Sequence, residues 1–319
     1  MLRDRLLTSA GLIVAIVVLL WLDVQHPLLA VPGLWLMPLL LFFSLGTAFD
    51  LASMLRSSGR SIDRRAVIGA TALVSLSPYV PALWPLSGQA YPADCPLGAP
   101  GWLVVGVLAD VFLLLLREIL TYRPGGGSLE RTLASVFASV YVGLPMGLLV
   151  LIRQLGTGPD AGQLADEGST NGQLAWGLAA IVAVIAVTKS ADVGAYFTGK
   201  AIGKKKLIPR LSPGKTWEGA VGGVTLAILV SYACFFWFLP AVAVAAEMPP
   251  WWGPLIFGII CAVCGMIGDL AESLVKRETG VKDSGSWLPG LGGVWDVTDS
   301  LIGAVMPAWV MLAAGLVGS

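Results

Sequence analysis

The chain contains little charge and a single histidine. Only 13% of its 319 residues are charged, against about 25% in ordinary soluble domains, while 56% are apolar. A water-soluble protein of this length needs more polar surface, so the composition predicts a polytopic membrane protein. The net charge of zero provides no global attraction to nucleic acid. Because His26 is the only histidine, any catalysis has to proceed without a histidine base.

Cysteine is also scarce, and its spacing does not indicate a metal or redox site. Two of the four cysteines, Cys261 and Cys264, form a CxxC pair within the apolar sequence IICAVCGM. A second pair and a neighbouring histidine are both lacking, so two small residues of a membrane helix explain this pair better than zinc or redox chemistry. The sequence also lacks an internal repeat.

Long apolar runs dominate the sequence instead. Nine segments meet the criterion of about 20 residues for a transmembrane helix. They are 6–22, 28–49, 66–86, 101–120, 132–152, 174–197, 219–240, 253–271 and 300–317. We therefore predict an all-α polytopic membrane protein with about nine transmembrane helices and cytoplasmic catalytic loops.

The basic residues predict how these spans are oriented. Lysine and arginine precede the first span and fill the even-numbered connections, whereas the odd-numbered connections contain almost none. The positive-inside rule then places the N-terminus in the cytoplasm and the C-terminus on the opposite side. Polar motifs are confined to the C-terminal half. We accordingly divide the chain into N-terminal transmembrane helices, 1–172 (about five spans), and a catalytic transmembrane region, 173–319 (about four spans).

The first group of candidate residues surrounds the sequence SPGKTWEG at 212–219. Turn residues before a helix leave backbone N–H groups free for anions, and Lys215 adds a charge suited to phosphate. The sequence is not a Walker A loop, because Pro209 occupies the position of the first glycine and a preceding strand is not predicted. Pairing of this basic loop with anionic lipid headgroups is the simpler alternative. It explains the lysines at 204–206 but not the compact polar cluster.

The second group lies in the charged, glycine-rich block 268–299. Asp269 follows the apolar run, and further acidic residues are Asp283, Asp296 and Asp299. Carboxylate oxygens suit a hard cation such as Mg²⁺, which often keeps substrate phosphates in its coordination shell. An ordinary helix end with a Glu272–Lys276 pair is the competing interpretation. Asp269 does not fit it, and we predict a divalent-metal-dependent phosphate site on the cytoplasmic side.

Both groups resemble the phosphatidate cytidylyltransferase (CDP-diacylglycerol synthase) family. The resemblance covers roughly the C-terminal 130 residues, and the N-terminal half agrees only in being hydrophobic. The upstream family segments D-x-x-A-Y and S-P-x-K-T-W-E-G match Asp192–Tyr196 and 212–219. The downstream signature is met by Ser273, Lys276, Arg277, Lys282, Asp283, Gly285, Pro289, Gly290, Gly292, Gly293, Asp296 and Asp299. Leu291 and Val297 replace the histidine and arginine of the family pattern.

The resemblance implies that CTP and phosphatidate react to CDP-diacylglycerol and pyrophosphate for phospholipid biosynthesis. It implies Mg²⁺ as cofactor, with an added monovalent cation left open, and Asp269 and Asp296 as its ligands. Lys276 and Asp283 complete the catalytic set. Substrate binding is expected from Asp192, Tyr196, Ser212, Lys215, Thr216, Glu218, Ser273, Arg277, Lys282, Gly292 and Gly293. Membrane lipids are the other expected partners, a homodimer stays open, and the expected location is a bacterial inner membrane with a cytoplasmic site.

Two other classes of function stay open at this point. A CTP-dependent lipid kinase of the polyprenol or phytol type would also need a membrane-embedded cytidine site, but it would release CDP rather than pyrophosphate. A catalytically impaired lipid-binding or transport paralogue would be consistent with Leu291 and Val297. Transporters often have broken spans at corresponding positions in two halves, and the confinement of polar motifs to one half argues against transport.

Overall fold

The computed structural model describes residues 2–26, 28–31, 33–92, 94–155, 170–243, 248–281 and 283–318. Its apolar runs form helices, because a helix satisfies its backbone hydrogen bonds within one segment. The α-helices are α1 (Leu2–Gln25), α2 (Met37–Ser57), α3 (Arg64–Leu76), α4 (Val80–Leu83), α5 (Gly98–Leu120), α6 (Ser128–Arg153), α7 (Thr170–Ile202), α8 (Trp217–Ala233), α9 (Leu239–Val242), α10 (Trp252–Thr279) and α11 (Trp295–Ala313). A two-stranded antiparallel hairpin of β1 (Lys206–Ile208) and β2 (Ser212–Thr216) separates α7 from α8.

Eight helical segments of the described residues are long and apolar enough to cross a membrane. They are Leu7–Gln25, Leu34–Ser57, Arg64–Ser87, Ser128–Arg153, Trp176–Ile202, Trp217–Val242, Trp252–Thr279 and Trp295–Ala313. Each overlaps one of the nine predicted spans. The remaining predicted span, 101–120, coincides with helix α5, which is not among these eight. The prediction of an all-helical polytopic membrane protein is confirmed.

Two of the spans are irregular helices. Arg64–Ser87 contains α3, α4 and two short 3-10 turns. Each break coincides with a proline near the start of a turn, where the missing N–H prevents a regular α-helical hydrogen bond. In Trp217–Val242, a π-helical segment, Cys234–Phe238, joins α8 to α9. Both spans are therefore assembled from several pieces rather than from one uniform helix.

The chain forms two compact units by its contacts. The first contains Met1–Leu151 and Val275–Thr298, and the second contains Ile152–Leu274 and Asp299–Ser319. The glycine-rich motif segment between α10 and α11 thus packs with helices from the N-terminal half of the chain. The predicted boundary at residue 172 describes the order of motifs along the sequence, and it stays a prediction.

Within the first unit, buried polar groups connect neighbouring helices. The hydroxyls of Ser44 on α2 and Ser75 on α3 are 2.7 Å apart, and Ser139 on α6 donates to the Asp110 carboxylate on α5 at 2.8 Å. Such pairing is expected where water cannot solvate the group. The N-terminal half, which lacks the polar motifs of the sequence, nevertheless buries the carboxylates of Asp50 and Asp110.

Within the second unit, α7 and α8 pack backbone against backbone. A Cβ atom on Gly223 of α8 would lie 2.7 Å from the carbonyl oxygen of Ala191. A Cβ atom on Gly194 of α7 would lie 2.8 Å from the carbonyl oxygen of Gly222. Small residues permit this close approach in membrane helices. The packing fixes α8, and with it the hairpin that precedes it, against α7.

This close contact predicts that Gly223→Ala destabilises the protein. The added methyl group meets a backbone oxygen that cannot rotate away, and overpacking of this kind costs about 1–3 kcal/mol. We expect a lower melting temperature in detergent, measured by scanning fluorimetry. Gly69→Ala in α3 is the matched control, because a Cβ atom added there would have no neighbour within 4 Å and alanine favours a helix over glycine. Equal melting temperatures for both variants would contradict the packing argument.

Candidate active site

The second unit gathers three carboxylates from two helices. Asp269 and Glu272 lie one turn apart on α10, and Asp299 lies on α11. One oxygen from each lies within 4.8 Å of the others. Glu272 is 3% exposed and Asp299 9% exposed, whereas Asp269 is half-buried. These carboxylates lie close enough to bind one metal ion together.

Glycines at the crossing of α10 and α11 bring these carboxylates together. A Cβ atom on Gly268 would strike the carbonyl oxygen of Asp299, and one on Gly303 would strike that of Cys264. The two helices therefore approach to backbone contact immediately beside Asp269. Any larger side chain at either glycine would separate the helices that carry the carboxylates.

Two lysines flank this acidic group, which consists of the three carboxylates of Asp269, Glu272 and Asp299. The Lys215 ammonium, at the end of β2, is 2.7 Å from the Asp269 carboxylate. The Lys189 ammonium, on α7, donates to the Ser300 hydroxyl at 2.7 Å and lies 3.7 Å from the Asp299 carboxylate. Cations so close to carboxylates reduce the cost of holding them among apolar helices.

Asp192 joins this arrangement from α7. Its carboxylate accepts a hydrogen bond from the Ser300 hydroxyl at 2.9 Å and lies 3.4 Å from the Lys189 ammonium. With Asp192 included, four carboxylates lie here, and the ammonium groups of Lys189 and Lys215 lie beside three of them, Asp192, Asp299 and Asp269. The donor set of carboxylate oxygens is the one that Mg²⁺ prefers.

The segment expected to be an anion-binding loop is instead the β-hairpin and its junction with α8. The Thr216 hydroxyl accepts from the Gly219 N–H at 3.1 Å, and the Trp217 N–H donates to the Lys205 carbonyl at 2.9 Å. Both carboxylate oxygens of Glu218 accept from the Lys205 N–H at 3.2 Å. Two of the N–H groups expected to hold an anion are thus used within the chain. The hairpin places the Lys215 side chain beside Asp269 in the acidic group.

In the first unit, Asp296 anchors the loop between α10 and α11. One of its oxygens pairs with the Lys276 ammonium. The other accepts from the Ser284 hydroxyl and from the Gly293 N–H, both at 2.7 Å. These contacts give Asp296 a structural role. Its predicted role as a metal ligand, shared with Asp269, stays a prediction.

The paired glycines of the motif make room for this carboxylate and its partners. Gly292 has a φ of +101°, in the region that only glycine adopts easily, and a Cβ atom there would lie 2.5 Å from an Asp296 oxygen. A Cβ atom on Gly293 would strike the Ser284 hydroxyl. Packing around Asp296 therefore accounts for both glycines. Their predicted contact with substrate stays a prediction.

The other predicted residues occupy varied surroundings. Among the described residues, neither Tyr196 nor Glu218 forms a hydrogen bond or ion pair with Asp269, Glu272 or Asp299. Tyr196 is 60% exposed, and Lys200 lies 5.6 Å above its ring. Ser212 and Ser273 are half-buried, and Asp283 and Arg277 are exposed. Lys282 lies outside the described residues.

Several residues of these clusters were missing from the predicted site, among them Lys189, Glu272, Asp50 and Asp299, the last of which was named as an acidic residue of the block but not assigned as a ligand. Glu272 entered the sequence analysis only in the competing interpretation, as the partner of Lys276 at a helix end, although its position three residues after Asp269 places both on one helical face. Asp50 was overlooked because it lies in the N-terminal half. Its carboxylate accepts from the N–H groups of Val294 and Trp295. The signal that could have identified it is a lone carboxylate within the apolar sequence LGTAFDLAS.

Comparison with known proteins matches residues 3–314 to the cytidylyltransferase family. The phosphatidate cytidylyltransferase of Brucella suis is 46% identical over 129 residues, which are 40% of this chain and 45% of that protein. That of Pseudomonas aeruginosa is 42% identical over 136 residues, 42% and 48% of the two chains. That of Mycobacterium bovis is 30% identical over 250 residues, 74% and 72% of the two chains. The matched regions thus span about half the length of the first two relatives and more of the third.

The acidic group predicts binding of a divalent cation. We expect Mn²⁺, used as a spectroscopic substitute for Mg²⁺, to bind the purified protein, and Asp299→Asn to weaken binding about tenfold or more because a ligand charge is lost. Electron paramagnetic resonance of free Mn²⁺ measures this directly. Glu130→Gln removes an exposed carboxylate elsewhere and should leave binding unchanged. Equal Mn²⁺ affinity in wild type and Asp299→Asn would exclude Asp299 as a ligand.

Proposed function

Because the chain belongs to the cytidylyltransferase family, we propose that it transfers the cytidylyl group of CTP to phosphatidate. The products are CDP-diacylglycerol and pyrophosphate. The observation that carries this proposal is the group of Asp269, Glu272 and Asp299 with a lysine on either side. Such an arrangement suits a reaction in which several anionic phosphates have to be brought together.

The three carboxylates of the acidic group are suited to hold the metal ion that this reaction would use. Asp269, Glu272 and Asp299 would be the ligands, with Asp192 beside them through Ser300. When bound, Mg²⁺ supplies positive charge next to the triphosphate and to the negative charge that develops on the leaving group. The predicted participation of Asp296 belongs to this proposal as well.

The reaction needs no histidine, because the nucleophile is already an anion. A phosphate oxygen of phosphatidate attacks the α-phosphorus of CTP and forms a new P–O bond. The bond between the α-phosphorus and the bridging oxygen breaks, and its electron pair leaves with pyrophosphate. Charge repulsion between the reactants is then the main obstacle, and positioned cations reduce it.

Lys189 and Lys215 are the cations that the second unit provides for this purpose. Each ammonium group lies beside the carboxylates, so each could contact a phosphate oxygen bound there. Lys276, Arg277 and Lys282 are further candidates for neutralising the triphosphate and the lipid phosphate. Ser212, Thr216 and Ser273 would donate hydrogen bonds to phosphate oxygens.

We predict that Asp269→Ala and Asp299→Asn each lower the rate of pyrophosphate release about a hundredfold or more, the scale expected when a key electrostatic contact is lost. The assay uses purified protein with CTP, phosphatidate and Mg²⁺. Glu130→Gln should retain the wild-type rate. Near-normal turnover in both aspartate variants would refute the assignment of the acidic group as the reaction centre.

Product analysis with labelled CTP distinguishes this reaction from the alternatives. A cytidylyltransferase transfers the labelled cytidylyl group to the lipid and releases pyrophosphate. A CTP-dependent lipid kinase releases labelled CDP, and a binding or transport protein leaves CTP intact. Appearance of CDP in place of CDP-diacylglycerol, or no turnover of CTP, would contradict the proposed function.

A further inference from the structure

A carboxylate from the N-terminal half caps the helix that follows the glycine-rich loop. Asp50 is 1% exposed on α2. One of its oxygens accepts hydrogen bonds from the N–H groups of Val294, at 2.6 Å, and Trp295, at 3.2 Å. Val294 precedes α11, and Trp295 is its first residue. The first N–H groups of a helix have no partners within the helix. A negative charge at a helix N-terminus is also electrostatically favourable.

The local sequence cannot provide this cap. Helix N-terminal caps are commonly Ser, Thr, Asp or Asn, but the residues before Trp295 are Gly-Gly-Val. The cap therefore comes from a residue 244 positions earlier in the chain than Val294. Helix α2 thus supplies a group that the motif segment needs and does not contain.

Glycines on both sides of the contact make room for it. A Cβ atom on Gly293 would lie 2.5 Å from an Asp50 oxygen, and one on Gly285 would strike the other oxygen. On α2, a Cβ atom on Gly46 would lie 2.7 Å from the Val294 side chain. The loop backbone is therefore closely packed around the Asp50 carboxylate. Any shift of this carboxylate has to move the loop backbone as well.

The backbone segment that Asp50 contacts lies directly before Asp296 in the chain. Val294 and Trp295 immediately precede it, and the Gly293 N–H donates to its carboxylate. Other residues of the N-terminal helices hold the same segment. The Thr47 and Thr298 hydroxyls are 2.8 Å apart, the Thr8 hydroxyl donates to the Pro289 carbonyl at 2.9 Å, and the rings of Phe49 and Trp287 meet edge to face at 5.3 Å.

We propose that Asp50 is a positioning residue for Asp296, a member of the predicted catalytic set. Its buried carboxylate holds the backbone at 293–295 in place and thereby sets Asp296 and its partner Lys276. This role rests on the proposed function, because a set position of Asp296 matters for turnover only if the family reaction takes place here. The holding of the loop itself does not depend on that reaction and can be measured separately.

Loop mobility provides the test that is independent of activity. A nitroxide spin label is attached to Ser286→Cys, at an exposed loop position, after replacement of the four native cysteines by alanine or serine. We expect Asp50→Ala to increase the mobility of the label. Ser44→Ala is the matched control, since it removes a buried hydrogen bond of the same helix that goes to Ser75 and not to the loop. An immobile label in Asp50→Ala would overturn the proposal.

Kinetics test the consequence for the reaction. We expect Asp50→Ala to lower kcat about tenfold or more with little change in KM for CTP, because buried N–H groups lose their acceptor. Asp50→Asn should be intermediate, since its amide oxygen can accept the same hydrogen bonds without the charge. Ser44→Ala should lower the melting temperature while retaining kcat.

The outcomes separate this inference from the proposed function. A wild type that releases no pyrophosphate would defeat the function, while the spin label would still decide whether Asp50 holds the loop. A mobile loop in Asp50→Ala together with a wild-type kcat would show that the loop contact does not position the site. An equal loss of kcat in Ser44→Ala and Asp50→Ala would mean that the loss reflects general destabilisation of the protein, and it would contradict a positioning role for Asp50.

Discussion

Carboxylates within apolar helices need a cation or a hydrogen-bond donor beside them, and each of the two units is organised around this requirement. In the second unit, Lys189 and Lys215 face the acidic group. In the first unit, Lys276 pairs with Asp296, and backbone N–H groups satisfy Asp50. The hairpin places Lys215 beside Asp269, and the start of α11 provides the N–H groups that Asp50 accepts, whereas the glycine-lined crossing of α10 and α11 brings carboxylates together.

This compensation has a consequence for the proposed reaction. In the proposed reaction, an ammonium group that neutralises a carboxylate would turn to a phosphate oxygen, and a carboxylate left without a partner would be costly among apolar helices. The carboxylate released in the exchange is then available to a metal ion. Binding of substrate and of cation would thus support each other, because each provides a partner for a charge that the other frees.

The sequence was sufficient for eight of the nine predicted spans, but not for the contacts between side chains. Apolar runs of the required length identified the membrane helices, and motif spacing identified Lys215 and Asp269, which the structure brings together. The hairpin was missed because Ser-Pro-Gly-Lys-Thr has the composition of a turn. Asp50 was missed because its role depends on a tertiary contact with residues far along the chain, for which helical periodicity gives no signal.

The backbone contact between α7 and α8 affects how sequence variation in this family should be interpreted. Gly222 and Gly223 adjoin the Ser-Pro-Gly-Lys-Thr-Trp-Glu motif, and evolutionary constancy there would invite a catalytic explanation. Their environment suggests a different selective pressure, since a methyl group at either position would collide with the neighbouring helix. Glycines beside a motif can therefore be invariant for reasons of interhelical distance alone, and invariance at such positions is weak evidence for ligand contact.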